Sequence, residues 1–181
     1  MARQTEVVLL LTLAIAATTF ASEVERLSDA YFEKLIKAAQ ERKATEKCSS
    51  CCPTGWVEFR GRCFIYQGSK LNWGSAERHC VNLGGHLASM QNENEYQLVK
   101  SIIRIYDKNE NPTWIGLSSC QTKYNFFWSD GTKLTYTNWN PREPNRIFGE
   151  CCVQMNYGSY KHWNDISCSR KVPFVCVKKL Y

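Results

Sequence analysis

The sequence predicts an α+β fold held by disulfides. Two helix-period segments, residues 74–85 and 92–106, precede a run of short, aromatic-rich strands broken by Gly, Asn, Asp and Pro. That order gathers the two element types apart instead of alternating them as a parallel βαβ fold would. Ten cysteines, all after residue 47, form an even set at the density of a disulfide framework in an oxidising compartment.

The chain opens with "MARQTE", carrying Arg3, then the apolar "VVLLLTLAIAA", then small residues in "TTFAS". This is the layout of a secretory signal peptide cleaved near Ala21, with a retained signal anchor as the other reading. The apolar run is short for a membrane span, and no later stretch is apolar enough to be one. Residues 1–21 are therefore set aside as a signal peptide, and the mature protein is expected to be secreted and extracellular. Residues 22–51 form a second region. "SEVERLSDAYFEKLIKAAQERKATEK" lacks Gly and Pro, and Val24, Leu27, Tyr31, Leu35 and Ala38 fall near one helical face, with Phe32, Ile36 and Ala39 beside them. It reads either as a neck that pairs chains or as a propeptide or tail, being too short to define a coiled coil alone. A homodimer through residues 22–51, covalent or helix-mediated, is the expected assembly.

Residues 52–181 are one domain. "WVEFRGRCFIY" suggests two strands with a turn near Arg60-Gly61. "GSAERHCVNLGG" reads as a short helix capped by Ser75 and stopped at Gly84. "NENEYQLVKSIIRIY" reads as a second helix, with Asn92 and Glu95 resembling a capping box and Tyr96, Val99, Ile103 and Tyr106 on one face. After Pro112 short strand-like runs continue to the terminal "VPFVCVKK". Residues 22–51 balance six acids against six bases, whereas residues 52–181 carry sixteen Lys and Arg against ten Asp and Glu. That mild excess, without a dense basic run, suits anionic surfaces such as mucus or bacterial envelopes and does not argue for nucleic acid. "CSSC", Cys48 to Cys51, has no second C-x-x-C or paired histidine motif and reads as disulfide rather than zinc or redox chemistry. His79, His86 and His162 are scattered and read as structural or surface residues.

"WIGL" (Trp114–Leu117), "NWNPREPN" (Asn138–Asn145), "WND" (Trp163–Asp165) and the terminal "PFVC" (Pro173–Cys176), with their flanking cysteines, resemble a C-type lectin domain from about Cys52 to the C-terminus. The resemblance extends to secreted fish lectins and to fish type II antifreeze proteins. It implies a C-type lectin-like fold: two helices packed on antiparallel sheets, with a long calcium-binding loop. It also implies the bridges Cys52–Cys63, Cys80–Cys176 and Cys152–Cys168. Cys120 and Cys151 resemble the additional bridge of the antifreeze relatives, which leaves Cys48 and Cys51 unassigned.

The oxygens fit calcium. It is a hard cation taking roughly 6–8 oxygen ligands. Glu143 and Asn145 lie two apart, so an extended segment aims both the same way, and Pro144 stiffens it. The resemblance implies a cis bond at Pro144. Glu150 immediately precedes Cys151 and Cys152, and a Cys152–Cys168 bridge would draw "WND" towards it. The candidate ligand set is Glu143, Asn145, Glu150, Asn164 and Asp165. Adjacent strand side chains point to opposite faces, so Asn164 and Asp165 both serve only if the backbone bends or a carbonyl contributes. The family pattern uses both routes. The expected affinity is that of extracellular modules, on the order of 0.1–1 mM.

A loaded ion with open positions accepts two sugar hydroxyls, and the five ligands would then meet the sugar as well. A carboxylate only accepts while an amide also donates, so Glu143 and Asn145 impose an order on a diol. In the family Glu-Pro-Asn resembles the mannose-type arrangement. Ile147 is a candidate to pack on the sugar ring, or an ordinary loop residue. Arg146 departs from the family pattern and puts an auxiliary calcium site in doubt; Arg142 and Arg146 would repel the ion or contact acidic glycans. The expected function is a secreted calcium-dependent lectin for microbial or mucosal glycans, an innate-defence role. An ice-binding protein using the same loop surface is the alternative. No G-x-S-x-G or H-E-x-x-H occurs and no Cys/His pair survives the disulfide reading, so an enzyme is not expected.

Overall fold

The computed structural model describes residues 2–41, 51–122 and 125–180, residues 2–16 by backbone alone. Strands β1 (Val57–Phe59) and β2 (Arg62–Leu71) pair with Phe59 opposite Arg62. The two residues between them, Arg60 and Gly61, are both left-handed (φ 50° and 74°), the geometry a two-residue hairpin turn requires. Helix α2 (Trp73–Asn82) starts three residues earlier than a cap at Ser75 implied. Its cap is Asn72, whose side chain accepts from the backbone N–H of Ser75, so Ser75 is the capped residue and not the cap. The helix ends at Asn82, with Leu83 as its C-cap before left-handed Gly84.

After the short β3 (His86–Leu87), helix α3 (Glu93–Tyr106) is capped by Asn92, which accepts from the N–H of Glu95 at 3.1 Å. The reciprocal half of a capping box is not made. Glu95 instead accepts from the N–H of Gln91 and from Arg62, each at 2.7 Å, in a nearly buried ion pair. Tyr96, Val99 and Ile103 are buried on one face as their spacing implied, but Tyr106 is half exposed and stacks on Tyr66.

Strands β4 (Thr113–Ser118), β5 (Phe127–Trp128), β6 (Cys152–Tyr157), β7 (His162–Ile166) and β8 (Val172–Lys179) complete one sheet in the order β1-β2-β8-β4-β6-β7. β3 adds to β8 and β5 to β4. The sheet is mixed and not wholly antiparallel, because β4 and β8 run parallel. Gly116 of "WIGL" is what lets β3 approach β4: a Cβ there would lie 2.5 Å from the Leu87 carbonyl oxygen. The core gathers Trp114, Trp163, Phe174, Leu98 and Ile102, all buried.

The bridges Cys52–Cys63, Cys80–Cys176, Cys120–Cys151 and Cys152–Cys168 all form. Among the described residues no cysteine is free, and Cys51 is disulfide-bonded. Cys48 lies outside the described residues. His86 hydrogen-bonds Glu77 and His79 sets its edge against Phe174, both structural roles.

Helix α1 (Ala2–Glu41) runs unbroken through the residues set aside as a signal peptide and on into the second region. Its inner face docks on the domain. Phe32, Ile36 and Ala39 are buried, and Phe32 meets Phe59 edge-on at 5.7 Å. Asp29 pairs with Arg104 at 3.2 Å, and Gln40 donates to the Tyr106 hydroxyl. The residues read as the flank of the stripe are thus the buried ones, while Val24, Leu27 and Tyr31 face outward. Among the described residues no helix is long and apolar enough to cross a membrane.

Candidate metal and ligand-binding site

The segment carrying Glu143 and Asn145 is stitched to β7 before it reaches them. The N–H of Trp163 donates to Asn138 O at 2.8 Å, and that of Asn140 to Trp163 O at 2.9 Å. Asn140, itself buried, donates its side-chain amide to Tyr157 O, and the N–H of Glu143 returns to Asn140 O at 3.0 Å. Beneath this seam Trp163 stands edge-on to Trp128, Tyr136 and Trp139 at 5.8 Å each, an aromatic cluster that fixes the β7 side. The Glu143-Pro144 bond is cis, as the resemblance implied.

Asn145 therefore lands on Asp165. One Asp165 oxygen accepts from the N–H of Asn145 at 2.9 Å and the other from that of Arg146 at 3.0 Å. Asn145 in turn donates its side-chain amide to Glu143 Oε1 at 2.9 Å, while its Oδ1 accepts from the N–H of Ile147. Glu143 and Asn145 thus stand side by side, as their two-residue spacing implied. Asn164 and Asp165 are both buried, on the strand beneath the loop.

Burial first, and then the adjoining Asp165 carboxylate, hold the Glu143 carboxyl above the ordinary carboxylate range. Glu150 is raised in the same way, by burial and then by the charge of Asp165. The acids therefore sense one another across the loop. They do not close into a single knot, however. Among the described residues, the one group of three or more His, Cys, Asp or Glu ligands whose atoms all lie within 4.8 Å of one another is Cys120, Cys151, Cys152 and Cys168, which are the two bridges under Glu150. Glu143, Asn145 and Asp165 are brought into contact; Glu150 is brought near.

Sequence reading missed Phe148. It is fully exposed, at 103% relative accessibility, with left-handed φ of 52°, between left-handed Arg146 and Gly149. An aromatic ring held out in solvent on a left-handed backbone is an uncommon placement for a non-glycine residue. The available signal was the apolar pair Ile147-Phe148 inside a polar loop; Ile147 alone was singled out, and it is half exposed. Arg146 does not simply flank the site, since its guanidinium lies 5.3 Å from the centre of the Phe126 ring. Arg142 is exposed with φ of 70°.

Among the described residues, three helices, a mixed sheet, the four bridges above and a cis-proline loop over "WND" define the lectin-like class of binding domain. The chain belongs to the Lectin C-type domain family, which matches residues 69–178. It is 41% identical over 138 residues to lactose-binding lectin l-2 of Anguilla japonica, covering 74% of this chain and 81% of that one. It is 35% identical over 175 residues to ladderlectin of Oncorhynchus mykiss, covering 94% and 91%. Among solved structures, the herring type II antifreeze protein superposes with a TM-score of 0.68 at 37% identity, covering 72% of this chain and all of that one. Such relatives are binding proteins, and the chain is not an enzyme.

Proposed function

We propose that the chain is a secreted, calcium-dependent lectin of mannose type that binds microbial or mucosal glycans in innate defence, after loss of residues 1–21. The observation that carries this reading is the hydrogen-bonded set Glu143, Asn145 and Asp165, with Glu150 electrostatically coupled to it. Glu143, Asn145, Glu150, Asn164 and Asp165 would hold a calcium ion, which supplies open positions for a vicinal diol. The donor set fits: it is all oxygen, and burial, then Asp165, raises the proton affinity of the two glutamates, a cost that a bound cation would offset. Glu143 accepts from one hydroxyl and the Asn145 amide donates to the other, which orders the pair. Ile147 and Phe148 line the approach and offer the ring an apolar contact. Chains pair through residues 22–51, which gives two weak sites avidity on a repetitive surface.

A galactose-type preference is the second reading, favoured by exposed Phe148, since an axial hydroxyl leaves galactose one apolar face for an aromatic ring. The lactose-binding name of one relative agrees with it. Ice binding through this loop is disfavoured by its carboxylates and by Arg142, which keep the surface hydrated. The test is glycan-array binding with and without chelator, competed by free mannose, N-acetylglucosamine, galactose and lactose. Chelator-sensitive binding competed by mannose supports the proposal. Competition by galactose alone transfers it to the second reading, and glycan-free behaviour with ice-growth inhibition overturns both.

A further inference from the structure

Two disulfides lie in contact at the foot of the ligand loop. Cys120 Sγ is 3.5 Å from Cys168 Sγ and 3.8 Å from Cys152 Sγ, and Cys151 Sγ is 3.5 Å from Cys168 Sγ. Each of these contacts joins one bridge to the other, so the four sulfurs of Cys120–Cys151 and Cys152–Cys168 form one cluster. Bonded sulfurs stand about 2 Å apart, so a new bond across either contact needs a movement of roughly 1.5–2 Å. Exposure differs within the cluster: Cys120 is exposed, Cys151 and Cys168 are half-buried, and Cys152 is buried. Exchange begins with a thiolate attacking an accessible sulfur, so a thiol from solvent enters at Cys120.

Geometry also selects the product. Besides the resting pairing, these four cysteines allow two others. One joins Cys120 to Cys168 and Cys151 to Cys152, but neighbouring Cα atoms are about 3.8 Å apart, closer than the roughly 4.4 Å at which ordinary disulfides begin. The other joins Cys151 to Cys168 and Cys120 to Cys152, both of which are already in contact. We infer that the cluster is an exchange site for a small thiol, at which Cys120 takes the thiol as a mixed disulfide and the two bridges trade partners. The thiolate attacks Cys120 Sγ, the bond to Cys151 breaks, and its electron pair leaves on Cys151 as a thiolate. Cys151 then attacks Cys168 Sγ, which forms Cys151–Cys168 and releases Cys152 as a thiolate. Cys152 attacks Cys120 Sγ, which forms Cys120–Cys152 and returns the small thiolate. Two protein S–S bonds stand before and after, so nothing is oxidised or reduced overall and the thiol acts as a catalyst. What changes is the tether beside Glu150. Its neighbour Cys151 is tied at rest to Cys120, just past β4, and after exchange to Cys168, just past β7, the strand that carries Asn164 and Asp165. That consequence rests on the calcium reading above; the exchange itself does not.

Incubating the unaltered chain with substoichiometric reduced glutathione tests it. After an acid quench and alkylation, trypsin leaves Cys120, the Cys151-Cys152 pair and Cys168 on separate peptides, residues 109–123, 147–161 and 162–170. Fragmentation between Cys151 and Cys152 then reads which partner each holds. The exchanged pairing should appear beside the resting one. Doubling the glutathione should double the rate and leave the final ratio unchanged, as a catalyst must. The variant Cys152→Ser shortens the test to one step: its unpaired thiol starts on Cys168, 3.5 Å from Cys151, and alkylation should be found on Cys120 as well. The resting pairing alone at every time, a final ratio that follows the glutathione concentration, or a variant thiol confined to Cys168 each overturns the inference. Two double variants fix the tether. Cys152→Ser with Cys168→Ser keeps Cys151 on Cys120, and Cys120→Ser with Cys152→Ser moves it to Cys168. The calcium concentration giving half of the melting shift should differ between them by roughly tenfold, the scale of a disturbed ligand environment. Equal concentrations overturn the coupling to Glu150. No calcium shift in either protein overturns the calcium reading instead, and the bridge mapping still decides the exchange.

Discussion

Asp165 is fully buried and uses both carboxylate oxygens on the backbone N–H groups of Asn145 and Arg146. Asp165→Ala should abolish any calcium dependence of the melting temperature. It should also cost about 1–3 kcal/mol for each N–H left without a partner. Asp165→Asn keeps one acceptor and should lose the ion with a smaller penalty; calorimetry with and without calcium separates the two. Exchanging Glu143→Gln and Asn145→Asp preserves oxygens and formal charge but reverses donor and acceptor order. Mannose binding should drop, galactose binding should rise, and calcium-linked stability should survive; unchanged mannose affinity on the array would remove these residues as determinants of specificity. Acid gives an independent check. Glu143 and Glu150 are raised, so in the metal-free protein they oppose folding where ionised and stop doing so as pH falls through their folded values. Asp107 and Glu110 are lowered: desolvation would raise both, but hydrogen bonds from Asn111 and Arg104 respectively outweigh it, so their support is present at neutral pH and lost in acid. The melting gap between calcium and chelator should therefore narrow as pH falls from 7 towards about 4.5, because protons compete for the same oxygens. A gap that stays constant over that range would contradict carboxylate ligation. The contact of Glu143 with Asn145 was legible from their two-residue spacing, and the approach of both to Asp165 from the family resemblance. Phe148 was not, because its exposure depends on a left-handed backbone that its own side chain disfavours.

At the scale of elements, the sequence was most readable where one interaction decides the outcome. The Arg60-Gly61 turn, the Asn92 cap and the Gly84 stop each follow from local chemistry. It was less readable where two residues compete for one role: Asn72 takes the cap from Ser75, and Glu95 leaves its capping box for Arg62, because a nearly buried guanidinium needs a carboxylate more than an exposed helix end does. The amphipathic stretch at 22–41 showed two apolar rows, and periodicity cannot say which row meets the domain. Phe59 and the Asp29–Arg104 pair choose Phe32 and Ile36. Ile36→Ala should cost about 2–5 kcal/mol of helix docking. The loss should be seen as faster hydrogen exchange in residues 22–41 with little change in the strands, since the helix packs on one side of an otherwise complete core. Equal loss of protection in β6 and β7 would mean the helix is part of the cooperative unit.

For the whole molecule, the α+β class was readable from the element order and the pairing of the bridges was implied by the family resemblance, while the parallel contact between β4 and β8 was not readable. That contact depends on the last strand returning to the middle of the sheet, a long-range choice that no local pattern carries. The same return puts Cys176 beside Cys80, 96 residues apart, and such a loop stabilises by roughly 4–5 kcal/mol on the chain-entropy account. This framework holds the domain together without any ion, so calcium is expected to tune its stability and not to create it. An ion bound only by the folded state adds stability by mass action, about 2.7 kcal/mol at a hundred times its dissociation constant. For a site of ~0.1 mM affinity that is reached near ~10 mM calcium, and for a domain of this size it should raise the melting temperature by roughly 5–10 °C. The unfolding transition should remain single, and chelator should return the midpoint to its starting value without loss of the folded baseline. With the bridges reduced, the midpoint should fall further than chelation lowers it, because the closed loops and not the ion constrain the unfolded chain. A melting midpoint that ignores millimolar calcium, in protein whose bridges are intact, would leave Glu143, Asn145 and Asp165 as a hydrogen-bonded surface loop with no ion to hold.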